Sequence, residues 1–225
     1  MTFADRVLKF ISQLHIPVPL PPGFAVLNPF EDEYVASLCS RFYHQYYNDN
    51  NPRTFIIGIN PGRHGGGTTG IPFTDPAKLQ DYCGIDNVLH KKTELSADFM
   101  YQMMMQYGGV EKFYRRFYFT AVSPLGFTCA GKNANYYDNR MLQNSLTDFI
   151  VACMHTQLQF GATREVAYCV GEGTNYVFLK TLNDQHHFFK TIIPLPHPRF
   201  IMQYRRRQVD EYVKMYVRAL EERGL

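Results

Sequence analysis

Short apolar runs alternate with longer amphipathic segments along this chain. Runs rich in β-branched and aromatic residues predict four strands, at residues 55–60, 117–123, 166–171 and 189–195. Apolar positions at helical spacing predict helices over residues 4–14, 32–47, 96–107, 139–157, 174–182 and about 204–223. Strands separated by helices are typical of a parallel sheet covered on both faces. We therefore expect one α/β domain over residues 1–225, built on a central four-stranded parallel sheet flanked by helices.

The first predicted strand runs into a glycine-rich loop. Asn60 and Pro61 end the strand, and five glycines follow within nine positions: Gly62, Gly65, Gly66, Gly67 and Gly70. A loop without side chains lets backbone N–H groups approach a ligand closely. It is not a nucleotide-phosphate loop, because Thr68 occupies the position of the lysine, and the glycine spacing of dinucleotide-binding folds is absent. Asn60 by itself would also suit a simple turn, so its role depends on what else reaches this loop.

A second polar side chain follows the last predicted strand. His197 comes just after the apolar run at residues 189–195. Open parallel sheets bind ligands at the carboxyl ends of their strands. We therefore expect Asn60 and His197 to converge on one pocket, although they are far apart in sequence.

The glycine-rich loop resembles a motif of a known family. Residues 58–73 are similar to the first motif of the single-strand-selective monofunctional uracil-DNA glycosylases, which reads G-x-N-P-G, a short glycine-rich stretch and T-G-x-P-F. The matching positions are Gly58, Asn60, Pro61, Gly62, Gly65, Thr69, Gly70, Pro72 and Phe73. The pair His197 and Pro198, with Arg199, resembles a shortened form of the second motif, in which a histidine and a proline precede a DNA-intercalating loop.

Further segments extend the resemblance over roughly residues 50–205. They resemble the family's middle strand, the loop that follows it and a later strand-to-helix turn, at residues 119–127, 131–133 and 170–173. The resemblance implies the three-layer α/β sandwich of the uracil-DNA glycosylases. It also implies a monofunctional DNA glycosylase, which flips out a deaminated or oxidised base such as uracil, hydrolyses the N-glycosidic bond and leaves an abasic site for base excision repair.

The resemblance also implies roles for particular residues. Asn60 is expected to hold the attacking water, and His197 to donate a hydrogen bond to O2 of the departing base. Phe73 is expected to stack on the extruded base. The glycines expected to line the base pocket are Gly62, Gly65 and Gly66.

One position departs from the family pattern. Where the family has an asparagine on its middle strand that reads the uracil edge, this chain has Ala121. Either Ser123 on the same strand or Asn133 in the next loop reads the base instead, or the substrate range differs. We expect a variant subfamily with an altered base preference that still acts on deaminated or oxidised bases. The same departure favours an alternative hypothesis, a nucleic-acid binding module that has the fold and lacks catalysis.

Two other hydrolase chemistries have less support. A paired-carboxylate glycosidase would need acids flanking the bond, and the strand ends in Asn60, whereas the nearest acid, Asp75, lies beyond Phe73. An acyl hydrolase would need a serine or cysteine at a strand-to-helix elbow, which the sequence does not provide. The residues therefore favour a mechanism based on water positioning and electrostatic stabilisation.

The mildly basic net charge of the chain is compatible with nucleic-acid binding but does not by itself indicate it. The net charge is +3 and the isoelectric point about 8.5. Basic residues cluster after the His-Pro motif, so we expect Arg199 and Phe200 to act as the DNA wedge, and Arg205 and Arg206 to contact phosphates. A solvated helix start would explain the same arginines equally well.

Cysteine usage predicts neither a metal nor a cofactor. The five cysteines are scattered without a C-x-x-C pair and are expected to be reduced core thiols.

No apolar run approaches the length of a membrane span, and the N-terminus lacks a secretory leader pattern. We therefore expect a cytoplasmic protein. The resemblance implies DNA as its partner, and we expect it to act as a monomer.

Overall fold

The structure is a computed structural model that describes residues 1–223, so the last two residues of the predicted domain lie outside the described part. The α-helices are α1 (Phe3–Ile11), α2 (Glu33–Tyr47), α3 (Gly66–Thr69), α4 (Pro76–Asp81), α5 (Leu95–Tyr107), α6 (Val110–Tyr114), α7 (Arg140–Leu158), α8 (Thr174–His186), α9 (Pro198–Tyr204) and α10 (Val209–Arg223). The strands are β1 (Phe24–Leu27), β2 (Arg53–Gly58), β3 (Phe117–Ala121), β4 (Gly126–Cys129), β5 (Lys132–Ala134), β6 (Ala162–Val170) and β7 (Thr191–Leu195).

The predicted parallel sheet is confirmed. Its four strands lie in the order β3-β2-β6-β7, and every neighbouring pair is parallel. The chain therefore winds from β2 to one side for β3, and then crosses to the other side for β6 and β7. Such a reversal opens a crevice at the carboxyl ends of the strands, which is where this class of sheet binds ligands.

Helices cover both faces of this sheet. Ile56 of β2 is in register with Phe119 of β3 and Tyr168 of β6, so all three side chains point to one face. That face packs against α6 and α10: Phe119 contacts Phe113, and the Tyr168 hydroxyl donates to a carbonyl of α10. On the opposite face, Tyr118 packs against the ring of Phe3 in α1. This is the three-layer α/β arrangement expected from the sequence.

A second, small sheet was not predicted from the sequence. β1, β4 and β5 form a three-stranded antiparallel sheet in the order β1-β4-β5. A tight turn at Ala130 and Gly131, both with positive φ (47° and 72°), joins β4 to β5. The predicted loop at residues 131–133 is thus part of a hairpin. Strands of three or four residues carry too little alternation of apolar and polar positions to be recognised in the sequence.

The C-terminal helix begins later than predicted. Instead of one helix from Tyr204, a short helix α9 follows His197, a 3₁₀ turn covers residues 206–208, and α10 starts at Val209. α9 forms because Pro198 takes the first helical position and the His197 side chain accepts from the N–H of Arg199. Arg205, at φ −127°, leaves the helical conformation and separates the two helices. The residues after the His-Pro motif are therefore helical and do not form an open loop.

The state of the cysteines and the character of the helices can be compared with the sequence analysis. All five cysteines are free, and burial raises the pKa of Cys39, Cys153 and Cys169 to about 12, so these thiols stay protonated. Over residues 1–223, no helix combines the length and the apolar character needed to cross a bilayer.

Asn175, at the start of α8, ties the two sheets together. It is 2% exposed, and its Oδ1 accepts from the Tyr136 hydroxyl at 2.9 Å. Its Nδ2 donates to the Val170 carbonyl at 3.2 Å and reaches the Gly58 carbonyl at 3.4 Å, so it joins the carboxyl ends of β6 and β2. One amide therefore connects both strand ends to the segment after β5.

Replacing this amide should destabilise the protein. We expect Asn175→Ala to lower the free energy of unfolding by about 2 kcal/mol, because the buried Tyr136 hydroxyl and the carbonyls of two strand ends lose their partner. Urea unfolding measures the effect, and Val177→Ala on the exposed side of the same helix is the matched control. Equal stability of the two variants would contradict this account of Asn175.

Candidate active site

A cavity of about 350 Å³ opens at the carboxyl edge of the parallel sheet. Its lining also includes Thr120 and Gln157. Thr120 precedes Ala121 in β3, so the side chains of these two residues point to opposite faces of the sheet. The structure brings together eight of the residues singled out from the sequence: Asn60, Gly62, Gly66, Phe73, Asn133, His197, Arg199 and Phe200 all line it. The predicted convergence of Asn60 and His197 thus holds.

The amide of Asn60 is oriented by the backbone that follows β5. The N–H of Tyr136 donates to Asn60 Oδ1 at 3.0 Å, and Asn60 Nδ2 donates to the Ala134 carbonyl at 3.2 Å. Because Tyr136 N–H can only donate, the oxygen must be the amide atom beside it. The remaining lone pair of Oδ1 is the group that can accept a hydrogen bond from a ligand or a water.

His197 is held as a neutral hydrogen-bond donor. Its Nδ1 accepts from the N–H of Arg199 at 3.1 Å, which assigns the ring proton to Nε2. Burial, and then the charge of Arg199, lower the pKa of His197 to about 4. At neutral pH the ring therefore offers an uncharged Nε2–H.

Phe73 forms a wall of the cavity in an unusual backbone conformation. Its φ is 54°, the left-handed region that residues with a Cβ rarely adopt. The ring packs edge-on against Phe119, with centroids 5.1 Å apart. A Cβ on Gly58 would lie 2.9 Å from Cζ of Phe73, so β2 ends in a glycine because the aromatic ring occupies that space.

Only some of the glycines predicted to line the base pocket do so. Gly62 and Gly66 line it, whereas Gly65 lies outside the lining and has φ −120°, so no positive φ requires a glycine there. Asn133 contacts the same loop: its Oδ1 accepts from the Arg63 N–H at 3.1 Å, and its Nδ2 lies 3.5 Å from the position of a Cβ on Gly62. The cavity wall here is mainly backbone, which provides polar groups at close range.

The position at which the family has its base-reading asparagine carries no hydrogen-bonding side chain in this cavity. Ala121 lines the cavity with a methyl group, in register with Gly58. The structure does not bring Ser123 into the site, because that side chain is fully buried and its hydroxyl donates to the Leu125 carbonyl at 2.8 Å. Of the two residues expected to replace the asparagine, only Asn133 borders the cavity.

Sequence analysis missed an acid in this site. Glu94, immediately before α5, lines the cavity, and its Oε1 lies 3.5 Å from the position of a Cβ on Gly62. Burial, and then the charge of Asp75, raise the pKa of Glu94 to about 7. No sequence motif indicated Glu94, because it does not follow a strand and reaches the site from the start of a helix.

The mouth of the cavity is aromatic and basic. Phe200 and Tyr204 are 43% and 68% exposed, and their rings lie 5.7 Å apart on one side of α9. The guanidinium of Arg205 lies over the Phe200 ring at 5.5 Å. Arg205 and Arg206 are exposed and lie outside the lining, whereas Arg199 contributes to it. Within residues 1–223, no group of three His, Cys, Asp or Glu side chains is arranged to hold a metal ion.

Comparison with known proteins agrees with this fold. A sequence model of the uracil DNA glycosylase superfamily matches residues 44–221, and the chain belongs to that superfamily. It is similar to wild-type SMUG2 from Pedobacter heparinus, whose crystal structure matches with a TM-score of 0.96 and 44% sequence identity, over 99% of this chain and 98% of that one. No curated protein gives a significant match.

These findings decide the class of activity. The protein is a DNA glycosylase, a hydrolase that acts on N-glycosyl bonds. The alternative of a binding module without catalysis is therefore not favoured.

Substituting Gly58 should disturb the site without unfolding the protein. In Gly58→Ala the new methyl overlaps the Phe73 ring and displaces it, and a misplacement of about 1 Å can cost roughly 100-fold in rate. Single-turnover base release measures the loss, and circular dichroism reports the fold. Gly173→Ala is the control, because a Cβ there meets no atom within 4 Å. Full activity of Gly58→Ala would contradict the assigned place of Phe73.

Proposed function

We propose that this protein extrudes a damaged base from DNA into the cavity and hydrolyses its N-glycosidic bond, leaving an abasic site. The observation that carries the proposal is the placement of an oriented Asn60 oxygen and a neutral His197 donor in one cavity beside Phe73. Reaching the bond requires flipping, because the target atoms are inaccessible inside a duplex.

In the proposed mechanism, Asn60 holds the attacking water. Oδ1 has one lone pair left after bonding Tyr136, and it accepts a hydrogen of the water. As the bond breaks, negative charge develops on the base and positive charge on the sugar. The Nε2–H of His197 donates to the base oxygen, which stabilises the charge where it develops. Phe73 stacks on the flipped base, a contact worth about 1–3 kcal/mol.

The proposed substrates are deaminated or oxidised bases as a class. The wall at Ala121 has no hydrogen-bonding group, so it does not select one base edge. Polar contacts to the base would come from the backbone at Gly62 and Gly66 and from the amide of Asn133. We therefore propose a tolerant pocket that accepts uracil and related bases.

In the proposed complex, DNA binds across the mouth of the cavity. We propose that Arg199 and Phe200, which line the cavity, occupy the space that a flipped base leaves. Arg205 and Arg206 would provide positive charge for the phosphates. A single copy of the chain contains all these groups, so we propose that the protein acts as a monomer.

The catalytic assignments predict a graded loss of base release. The rate of base release by Asn60→Ala should fall below about a tenth of the wild-type rate, because misplacing the water by about 1 Å costs roughly 100-fold in rate. His197→Ala should lose activity less severely, because it removes charge stabilisation and leaves the water in place. The measurement uses labelled oligonucleotides with one uracil, hypoxanthine or xanthine, cleaved with alkali after reaction.

DNA affinity serves as a control and should stay near the wild-type value. Asn60→Ala should melt lower, because Tyr136 N–H and the Ala134 carbonyl lose their partner, so circular dichroism at the assay temperature must show that each variant is folded. An Asn60→Ala protein that releases base at more than a tenth of the wild-type rate would contradict the role of Asn60. Undiminished activity of His197→Ala would contradict the role of His197.

The wedge assignment predicts a difference between duplex and single-stranded substrates. Phe200→Ala and Arg199→Ala should lose more activity on duplex than on single-stranded DNA, because only the duplex has a stack to fill. The ratio of the two rates is the measurement. Val177→Ala, an exposed apolar residue on α8, is the control. Equal losses on both substrates would place the wedge elsewhere.

A further inference from the structure

The cavity contains one acid that this mechanism has not used. The Glu94 carboxyl lies against the glycine-rich loop, next to Gly62, and lines the same cavity as Asn60. Its backbone is anchored, because the Glu94 N–H donates to Asp75 Oδ2 at 3.0 Å. Over residues 1–223, no hydrogen bond or ion pair engages the carboxyl itself. An anchored residue with an uncommitted carboxyl in a reaction cavity is suited to proton transfer.

The loop is shaped around this carboxyl. A Cβ at Gly65 would overlap Oε2 of Glu94, although Gly65 neither lines the cavity nor has a positive φ. A side chain at position 65 would therefore displace the Glu94 carboxyl from its place beside the loop. The expectation from the sequence was that Gly65 leaves room for the base.

The reaction requires a proton acceptor that Asn60 and His197 do not supply. Water that attacks the sugar must lose a proton, and a carboxamide is far too weakly basic to take it. His197 acts as a donor through Nε2, its Nδ1 already accepts from the N–H of Arg199, and its pKa of about 4 makes the ring a poor base near neutrality. Asp75 is fully buried and is committed to the helix start at Lys78 and to Glu94 N–H.

We propose that the Glu94 carboxylate is the general base of this glycosylase and takes a proton from the water held at Asn60. The inference rests on the proposed function. The water oxygen forms a bond to C1′ of the deoxyribose while one of its protons passes to Glu94. The bond from C1′ to the base nitrogen breaks, and its electron pair leaves with the base. The base anion takes up a proton from solvent, and Glu94 releases its proton to solvent.

The surroundings of Glu94 suit this role. Asp75 and Asp98 add to the effect of burial and raise the pKa of Glu94 to about 7, while Arg199 opposes them. Lys78 balances the two aspartates, with Nζ 2.6 Å from Asp98 and 4.0 Å from Asp75. A base with a pKa near the working pH combines a useful ionised fraction with a strong drive to accept a proton.

The pH dependence of base release tests the proposal. Wild-type single-turnover rates should rise with pH up to about 7 and stay level above it, because only the ionised Glu94 accepts a proton. Glu94→Gln should lack this rise and should react roughly 10²–10⁴-fold more slowly on the plateau. The affinity for DNA should be unchanged or higher, since a negative charge near the phosphates is removed.

A stability measurement separates catalysis from a structural role. The pKa of Glu94 is raised from 4.5 to about 7 on folding, so between these values the unfolded chain loses a proton that the folded protein keeps. The contribution of Glu94 to the free energy of unfolding therefore falls as pH rises from about 4.5 to about 7. At about pH 8 the folded protein carries the full cost of the ionised Glu94 carboxylate, so Glu94→Gln should melt no lower than the wild type.

Two controls and the contrary outcomes complete the test. His64→Asn and Glu111→Gln should keep the wild-type pH profile, which excludes the loop histidine and a surface carboxyl as its source. If Glu94→Gln keeps the rise below pH 7, or reacts at the wild-type rate, the proposal is overturned while the proposed function stands. A wild-type protein that releases none of the tested bases overturns the proposed function, and the role of Glu94 with it.

Discussion

The site depends on the contact between the end of β2 and the backbone that follows β5. Two hydrogen bonds to the Asn60 amide, from Tyr136 N–H and to the Ala134 carbonyl, fix which atom faces the cavity. The Tyr136 hydroxyl reaches Asn175, whose amide also bonds the end of β6. The small antiparallel sheet therefore orients the water-holding residue, and the parallel sheet provides the edge on which it sits.

Several groups of the cavity are held in states that are unusual for their residue types. His197 is kept neutral by burial, Glu94 has its ionised form disfavoured, and Phe73 has a positive φ. Each state favours the proposed chemistry: a neutral donor, a base that ionises near neutrality and an aromatic wall placed over β2. Strain and shifted pKa values concentrated in one cavity are typical of active sites, where the surrounding core supplies the compensating stability.

Much of the fold was accessible to sequence analysis, and the reason is periodicity. The strands at 53–58 and 117–121 are fully buried apolar runs, and the long helices have regular apolar positions. Their bounds shifted by only a few residues. The antiparallel sheet and α9 were missed, because their strands are too short for a pattern and α9 depends on the His197 side chain as its cap.

The sequence by itself determined the class of the protein and predicted the pair Asn60 and His197, because each of the two motifs fixes residue type, order and spacing within its own local segment. It also marked Ala121 as a departure from the family pattern. Only the tertiary structure decided that Ser123 turns away from the cavity and that Glu94 enters it. These placements depend on contacts between residues distant along the chain, such as Glu94 with Gly65 and Asp75, which no local pattern records.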